Sequence, residues 1–115
     1  MRNMSFFATT EQVLKKSKTV TRRMGWKFLK VGDLVQPVEK AQGLAKGETV
    51  RKLGGPIRIV NVRREKLRAI EGSYYELQLE GFTKLHPGEF IGMFIEMNNC
   101  VYDSLVTRIE FEYTD

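Results

Sequence analysis

The sequence predicts a mainly β domain of the α+β class, with two short helices and roughly five or six short strands curling into a small barrel. Three observations carry this reading. At 115 residues the chain has room for one domain, residues 1–115, burying about two-thirds of its unfolded surface around a single core. Several short segments alternate apolar and polar side chains, the period of a half-buried strand, whereas a long apolar stripe at helical spacing occurs in only one place. Strands this numerous in a chain this short gain by closing on themselves, because a barrel has no unpaired edge.

Taken in order, "MSFFATT" reads as an opening strand. Thr9, followed three residues later by Gln12, fits a capping box that starts a short helix, "TEQVLKKS", ending near Ser17. The β-branched Thr19, Val20 and Thr21 then favour extended backbone in "KTVTRR". In "KVGDLVQPVEK" a Gly-Asp turn precedes an apolar-rich strand, where Pro37 marks an edge or a bulge. The glycine-rich segment from Gln42 to Gly55 reads as a long mobile loop or a loose hairpin.

"PIRIVNVRREKL" sets Ile57, Ile59 and Asn61 against Arg58, Val60, Val62 and Arg64, a strand with one buried face. "SYYELQLEGF" reads as a further strand or an irregular segment, with Tyr74 and Tyr75 divided between a buried and an exposed face. "HPGEFIGMFIEMN" is the clearest helix: His86 stands at the N-cap, Pro87 at the first helical position and Glu89 in the first turn. Phe90, Met93, Phe94 and Met97 form its apolar stripe and are assigned to the core. "SLVTRIEFEY" alternates Leu105, Thr107, Ile109, Phe111 and Tyr113 with polar neighbours, a closing strand.

The composition excludes several classes of protein. Hydrophobic residues at 42% and charged residues at 29% are a globular balance, not that of a disordered chain. No apolar run approaches the ~20 residues of a membrane span, and "MRNMSFF" lacks a secretory apolar segment, so a soluble cytoplasmic protein is expected. One cysteine, Cys100, and one histidine, His86, give no internal disulfide and no structural zinc site, and neither metal nor cofactor is expected. Cys100 reads as a small core residue and His86 as a helix-start residue.

The net charge of +5 favours polyanionic partners. The cations gather in two segments, Lys15 to Lys30 and Arg58 to Arg68. Within the first, "KSKTVTRR" carries four cations, three hydroxyls and one apolar residue, Val20. Such a stretch serves as a solvated basic edge, a phosphate cradle, or a place where a lysine activates a hydroxyl. Adjacent strand residues point to opposite faces, so of Arg63 and Arg64 at most one lines a given surface. Trp26 is either a stacking platform for a base or a wall of the barrel.

"KSKTVTRR", followed by "VGDLV" and by "EGF" with a helix after it, resembles the ASCH family, a branch of the PUA-like β-barrel fold. The match runs over nearly the whole chain in order: "SFF", a helix, the "KTxTxR"-type segment at Lys18, Thr19, Thr21 and Arg23, the turn at Gly32 and Asp33, and the strand "VTRIEFEY". The family segment usually carries a glycine before the lysine, where this chain has Lys16 and Ser17.

The resemblance implies a basic cleft that binds RNA or a nucleotide-sized ligand, with Arg22, Arg23, Trp26 and Arg63 as ligand-binding residues. A small member of the family is an amidohydrolase that deacetylates N4-acetylcytidine, and another cleaves RNA. Carried over by position, the catalytic set is Lys18, Thr21 and Glu80, with Glu76 the alternative carboxylate. Lys18 acts as base if burial and the neighbouring cations lower its pKa, while a carboxylate beside it acts in the opposite sense. On a regular strand residues three apart face opposite sides, so Lys18 and Thr21 meet only where the chain turns between them. Ligand identity, oligomeric state and any catalysis are left open by the sequence.

Overall fold

Alternation in two long strands lays down the spine of the sheet. A computed structural model describes all residues, Met1–Asp115. The chain runs β1 (Arg2–Ser5), a 3-10 turn (Phe7–Thr9), α1 (Thr10–Leu14), β2 (Val20–Arg23), β3 (Leu34–Val38), β4 (Ile57–Lys66), a second 3-10 turn (Leu67–Ile70), α2 (Tyr74–Leu79), α3 (Pro87–Asn98) and β5 (Leu105–Tyr113). The antiparallel β4–β5 pair extends from Ile57↔Tyr113 to Lys66↔Leu105, with a bulge between Ile59 and Asn61. An extra residue inverts the side-chain alternation. Val62 therefore packs with Ile57 and Ile59 against the core, a correction to the uninterrupted alternation expected of this strand.

β5 also pairs with β2, β4 with β3, and β3 in parallel with β1, giving the order β1-β3-β4-β5-β2. The sheet is open and mixed, and the expected closed barrel is not formed. After Phe6 the backbone leaves the sheet for the 3-10 turn, and β2 is only four residues long, so no extended backbone is available to join the edges. Pro37 is not on an edge strand: β3 lies inside the sheet. It is tolerated because β3 pairs with β4 only at Leu34 and Val35, before the proline is reached.

There are three α-helices instead of two. The segment expected as a strand at Tyr74 is α2, started by Ser73, whose hydroxyl accepts from the Glu76 amide at 3.2 Å. Both tyrosines point outward, at 55% and 70% exposure, and are not divided between faces. The capping box expected at Thr9 is absent, because Thr10 binds the Phe6 carbonyl instead and the Gln12 amide crosses to the Gly81 carbonyl at 3.1 Å. α3 starts as expected, with His86 Nδ1 accepting from Gly88 and Glu89 accepting from the His86 amide.

Two apolar clusters form the core. Met4, Phe6, Val13, Ile57, Ile59, Ile109 and Phe111 build the larger one, and Leu67, Ile70, Leu77, Phe90, Ile91, Phe94 and Val106 the other. Val106 and Ile109 have opposite parity on β5, which puts the clusters on opposite faces of the sheet. No helix is long and apolar enough to cross a membrane.

Candidate functional site

Lys18 owes its position to the way α1 ends. Lys16 adopts φ +60°, the left-handed backbone that glycine takes without strain, and the Ser17 and Lys18 amides both return to the Gln12 carbonyl. The chain thus turns at Lys16 and Ser17, before Lys18 and not between Lys18 and Thr21, so the two are brought together only by lining the same cavity. The Tyr113 hydroxyl donates to the Lys18 carbonyl at 2.5 Å and fixes the turn against β5.

Glu80 arrives from the other side of the molecule at the end of α2, where its amide still bonds the Glu76 carbonyl. Lys18 Nζ donates to the Glu80 carbonyl at 2.6 Å and to its Oε1 at 2.8 Å. The two side chains are each 3% exposed. Burying either charge alone costs several kcal/mol, so each requires the other.

Arg22 donates to Glu80 Oε2 at 3.0 Å and also pairs with Glu65 and Glu76. Across the sheet Arg22 stands opposite Arg108, and Arg108 opposite Arg63, a row of three cations on adjacent strands. Like charges so placed repel. The carboxylates reverse the sign: Glu76 bridges Arg22 and Arg108, Glu65 bridges Arg22 and Arg63, and no buried side-chain nitrogen or oxygen lacks a partner. The Arg108 hydrogen bonds, followed by those of Arg22, pull Glu76 down to about 2.

Lys18 lies below its ordinary value because burial disfavours the charged amine, and Arg23 and Arg22 act in the same direction while Glu80 opposes them. Burial alone would lower Arg22, yet Glu80, Glu76 and Glu65 outweigh it and hold the guanidinium charged. Arg23 is drawn down to about 10 by burial, with Glu80 acting against the shift.

These groups meet in one cavity of about 180 Å³, lined by Lys18, Thr21, Arg22, Arg23 and Glu80 together with Phe6, Phe82, Phe90, Met93 and Phe94. Thr21 lies opposite Ile109 and so shares the face of the larger core, whereas Arg22 faces α2. The cavity opens where both faces reach the free edge of β2. The α3 stripe assigned to the core is also the wall of this cavity, and Met97, at 61% exposure, is at its rim and not in the core.

Two expected ligand residues lie elsewhere. Arg63 is exposed and paired with Glu65 at 2.9 Å, and Trp26 is half-buried beside Phe28 with φ +53°; neither lines the cavity. No group of three or more His, Cys, Asp or Glu side chains is arranged to hold a metal ion.

The arrangement suits proton transfer. A neutral Lys18 has two N–H bonds, both engaged by Glu80, and a lone pair left to accept a proton. Arg23 Nε donates to Thr21 Oγ1 at 3.0 Å, so the hydroxyl proton itself is free to be given away. Lys18 and Thr21 share the cavity without a direct hydrogen bond.

Sequence reasoning missed Glu65, Arg108 and the aromatic wall. Arg108 is one of the polar neighbours in the β5 alternation, and no local signal in the sequence marks it as buried. Glu76 could be placed through Ser73 and Glu76, spaced as a helix cap followed by its third residue.

No family model matches the chain, and no curated protein matches it. Among solved structures it is similar to the crystal structure of protein EF3133 from Enterococcus faecalis V583, family-model DUF984, at TM-score 0.65 and 16% identity over 94% of this chain and 68% of that one. The likeness extends to the fold: an α+β chain built on an open five-stranded mixed sheet with a few short helices.

Proposed function

We propose that the chain is an ASCH-type, PUA-like domain whose cavity holds a nucleobase-sized or nucleoside-sized ligand and hydrolyses an acyl amide on it. One observation carries the reading. Lys18, Thr21 and Glu80, separated by up to 62 positions, line a single cavity in which Lys18 is buried on Glu80. Thr21 Oγ1 attacks the acyl carbon while Lys18 Nζ takes its proton. The C–N bond breaks, the proton passes from Lys18 to the leaving amine, and water then cleaves the Thr21 ester to release the carboxylic acid. Glu80 orients the lysine.

Size and charge favour a small aromatic ligand over a strand. The cavity lies below the roughly 300–1,000 Å³ typical of sites for drug-sized ligands, and its Phe6, Phe82, Phe90 and Phe94 walls suit a flat ring. Polynucleotide binding and ribonuclease chemistry call for cations presented to phosphates, whereas Lys18, Arg22 and Arg63 are each paired with carboxylate. The test is a panel of N-acylated nucleosides assayed for free acid, beside an RNA assayed for binding and cleavage. Acid release without RNA cleavage supports the reading, and salt-sensitive RNA binding without acid release overturns it.

A further inference from the structure

A groove of about 450 Å³ adjoins the cavity and shares Ser5, Arg23 and Asn98 with it. Its remaining polar lining comes from Asn3, Lys40 and Gln42, and Trp26 forms an apolar wall. The charge of the groove differs from that of the cavity. No carboxylate lines it, whereas in the cavity Glu80 neutralises the cations.

Arg23 joins the two spaces. Its guanidinium lies 4.7 Å from the centre of the Phe6 ring, and Nε is held by Thr21 Oγ1. Its terminal nitrogens make no hydrogen bond and no ion pair, yet no buried side-chain nitrogen in the protein is without a partner, so they are open to the cleft. Of the cations lining the cavity, Arg23 is the one with no carboxylate partner. Lys40 brings a second charge, held only by an exposed contact with Glu48 at 3.8 Å, beyond hydrogen-bonding distance.

We propose that this groove binds the phosphate of a phosphorylated nucleoside. The ligand's acylated base would occupy the cavity, its sugar the Asn3, Ser5 and Asn98 stretch, and its phosphate the space between Arg23 and Lys40. The proposal rests on the reading of the cavity as a nucleoside-sized site, and it narrows the ligand to a nucleotide. A planar guanidinium with free terminal nitrogens and a mobile ammonium are the groups that grip phosphate oxygens.

The test is calorimetric titration of the intact protein with the deacylated products, cytidine and cytidine 5′-monophosphate, which are not turned over, at low and high salt, repeated on Lys40→Gln. The phosphorylated form is expected to bind about tenfold more tightly at low salt, with the ratio falling as salt screens the charges. In Lys40→Gln, a change at the protein surface, the ratio is expected to shrink severalfold. Binding of the nucleoside with no gain from the phosphate overturns the groove assignment alone, as does a ratio unchanged in Lys40→Gln. Binding of neither ligand overturns the reading of the cavity as well.

Discussion

Lys18 Nζ contacts Glu80 twice, at its backbone carbonyl and at its carboxylate, so that one acidic residue fixes the lysine through two hydrogen bonds. The same carboxylate holds Arg22 through its second oxygen. A single buried glutamate therefore joins the stretch before β2, β2 itself and the end of α2.

Glu80→Ala leaves two cations buried without their shared partner and is expected to cost about 3–5 kcal/mol of stability. Lys18→Met is expected to cost much less, because Arg22 still pairs with Glu80. Urea unfolding of the two variants measures the difference, and equal losses would contradict the role given to Glu80.

Acid stability depends on Glu76. Its pKa is near 2 in the folded protein against an ordinary value of 4.5, so the folded state releases this proton more readily than the unfolded chain. The contribution is fully present above about pH 4.5 and is lost as the pH falls toward 2. Glu76→Gln is expected to flatten this limb of an unfolding curve measured against pH.

Lys18 acts in the opposite sense. With its folded-state pKa below 10.5, the unfolded chain binds the proton more tightly, so its burial penalises folding at lower pH and the penalty fades as the pH rises toward 10.5. The same shift governs catalysis. Acetate release is expected to rise with pH as Lys18 deprotonates, with a midpoint below that of a free lysine; a midpoint at 10.5 would contradict a tuned base.

Gly81 has φ +94°, and a Cβ there would lie 3.0 Å from Gln12 Cγ and 3.4 Å from Lys18 Cβ. Gly81→Ala is expected to cost about 1–3 kcal/mol and to lower turnover further by displacing Lys18. A stability loss with unchanged turnover in the folded fraction would separate the two effects.

What the sequence revealed follows physical range. α3 was legible because its cap, proline and apolar stripe are local signals, and β5 because its alternation survives its pairings. β4 was legible only as far as Ile59, since the bulge that reverses its faces is set by pairing with β5. The barrel expected from strand count failed at β1, whose chain turns into a 3-10 helix after Phe6. Lys18, Thr21 and Glu80 came from a family resemblance, and the structure places all three on one cavity. The pairing of Arg22 and Arg108 with Glu76 and Glu65 was hidden, because it joins charges 32 to 54 positions apart that no local pattern links.

Acetate release from N4-acetylcytidine by the wild-type protein, Thr21→Ser, Thr21→Val and Lys18→Met tests the central claim most directly. The account predicts turnover in the wild type, reduced turnover in Thr21→Ser, which keeps a hydroxyl, and none in Thr21→Val or Lys18→Met, with all four proteins folded. Wild-type turnover that persists in folded Thr21→Val and Lys18→Met would place the chemistry elsewhere, and an inactive wild type would contradict the hydrolase.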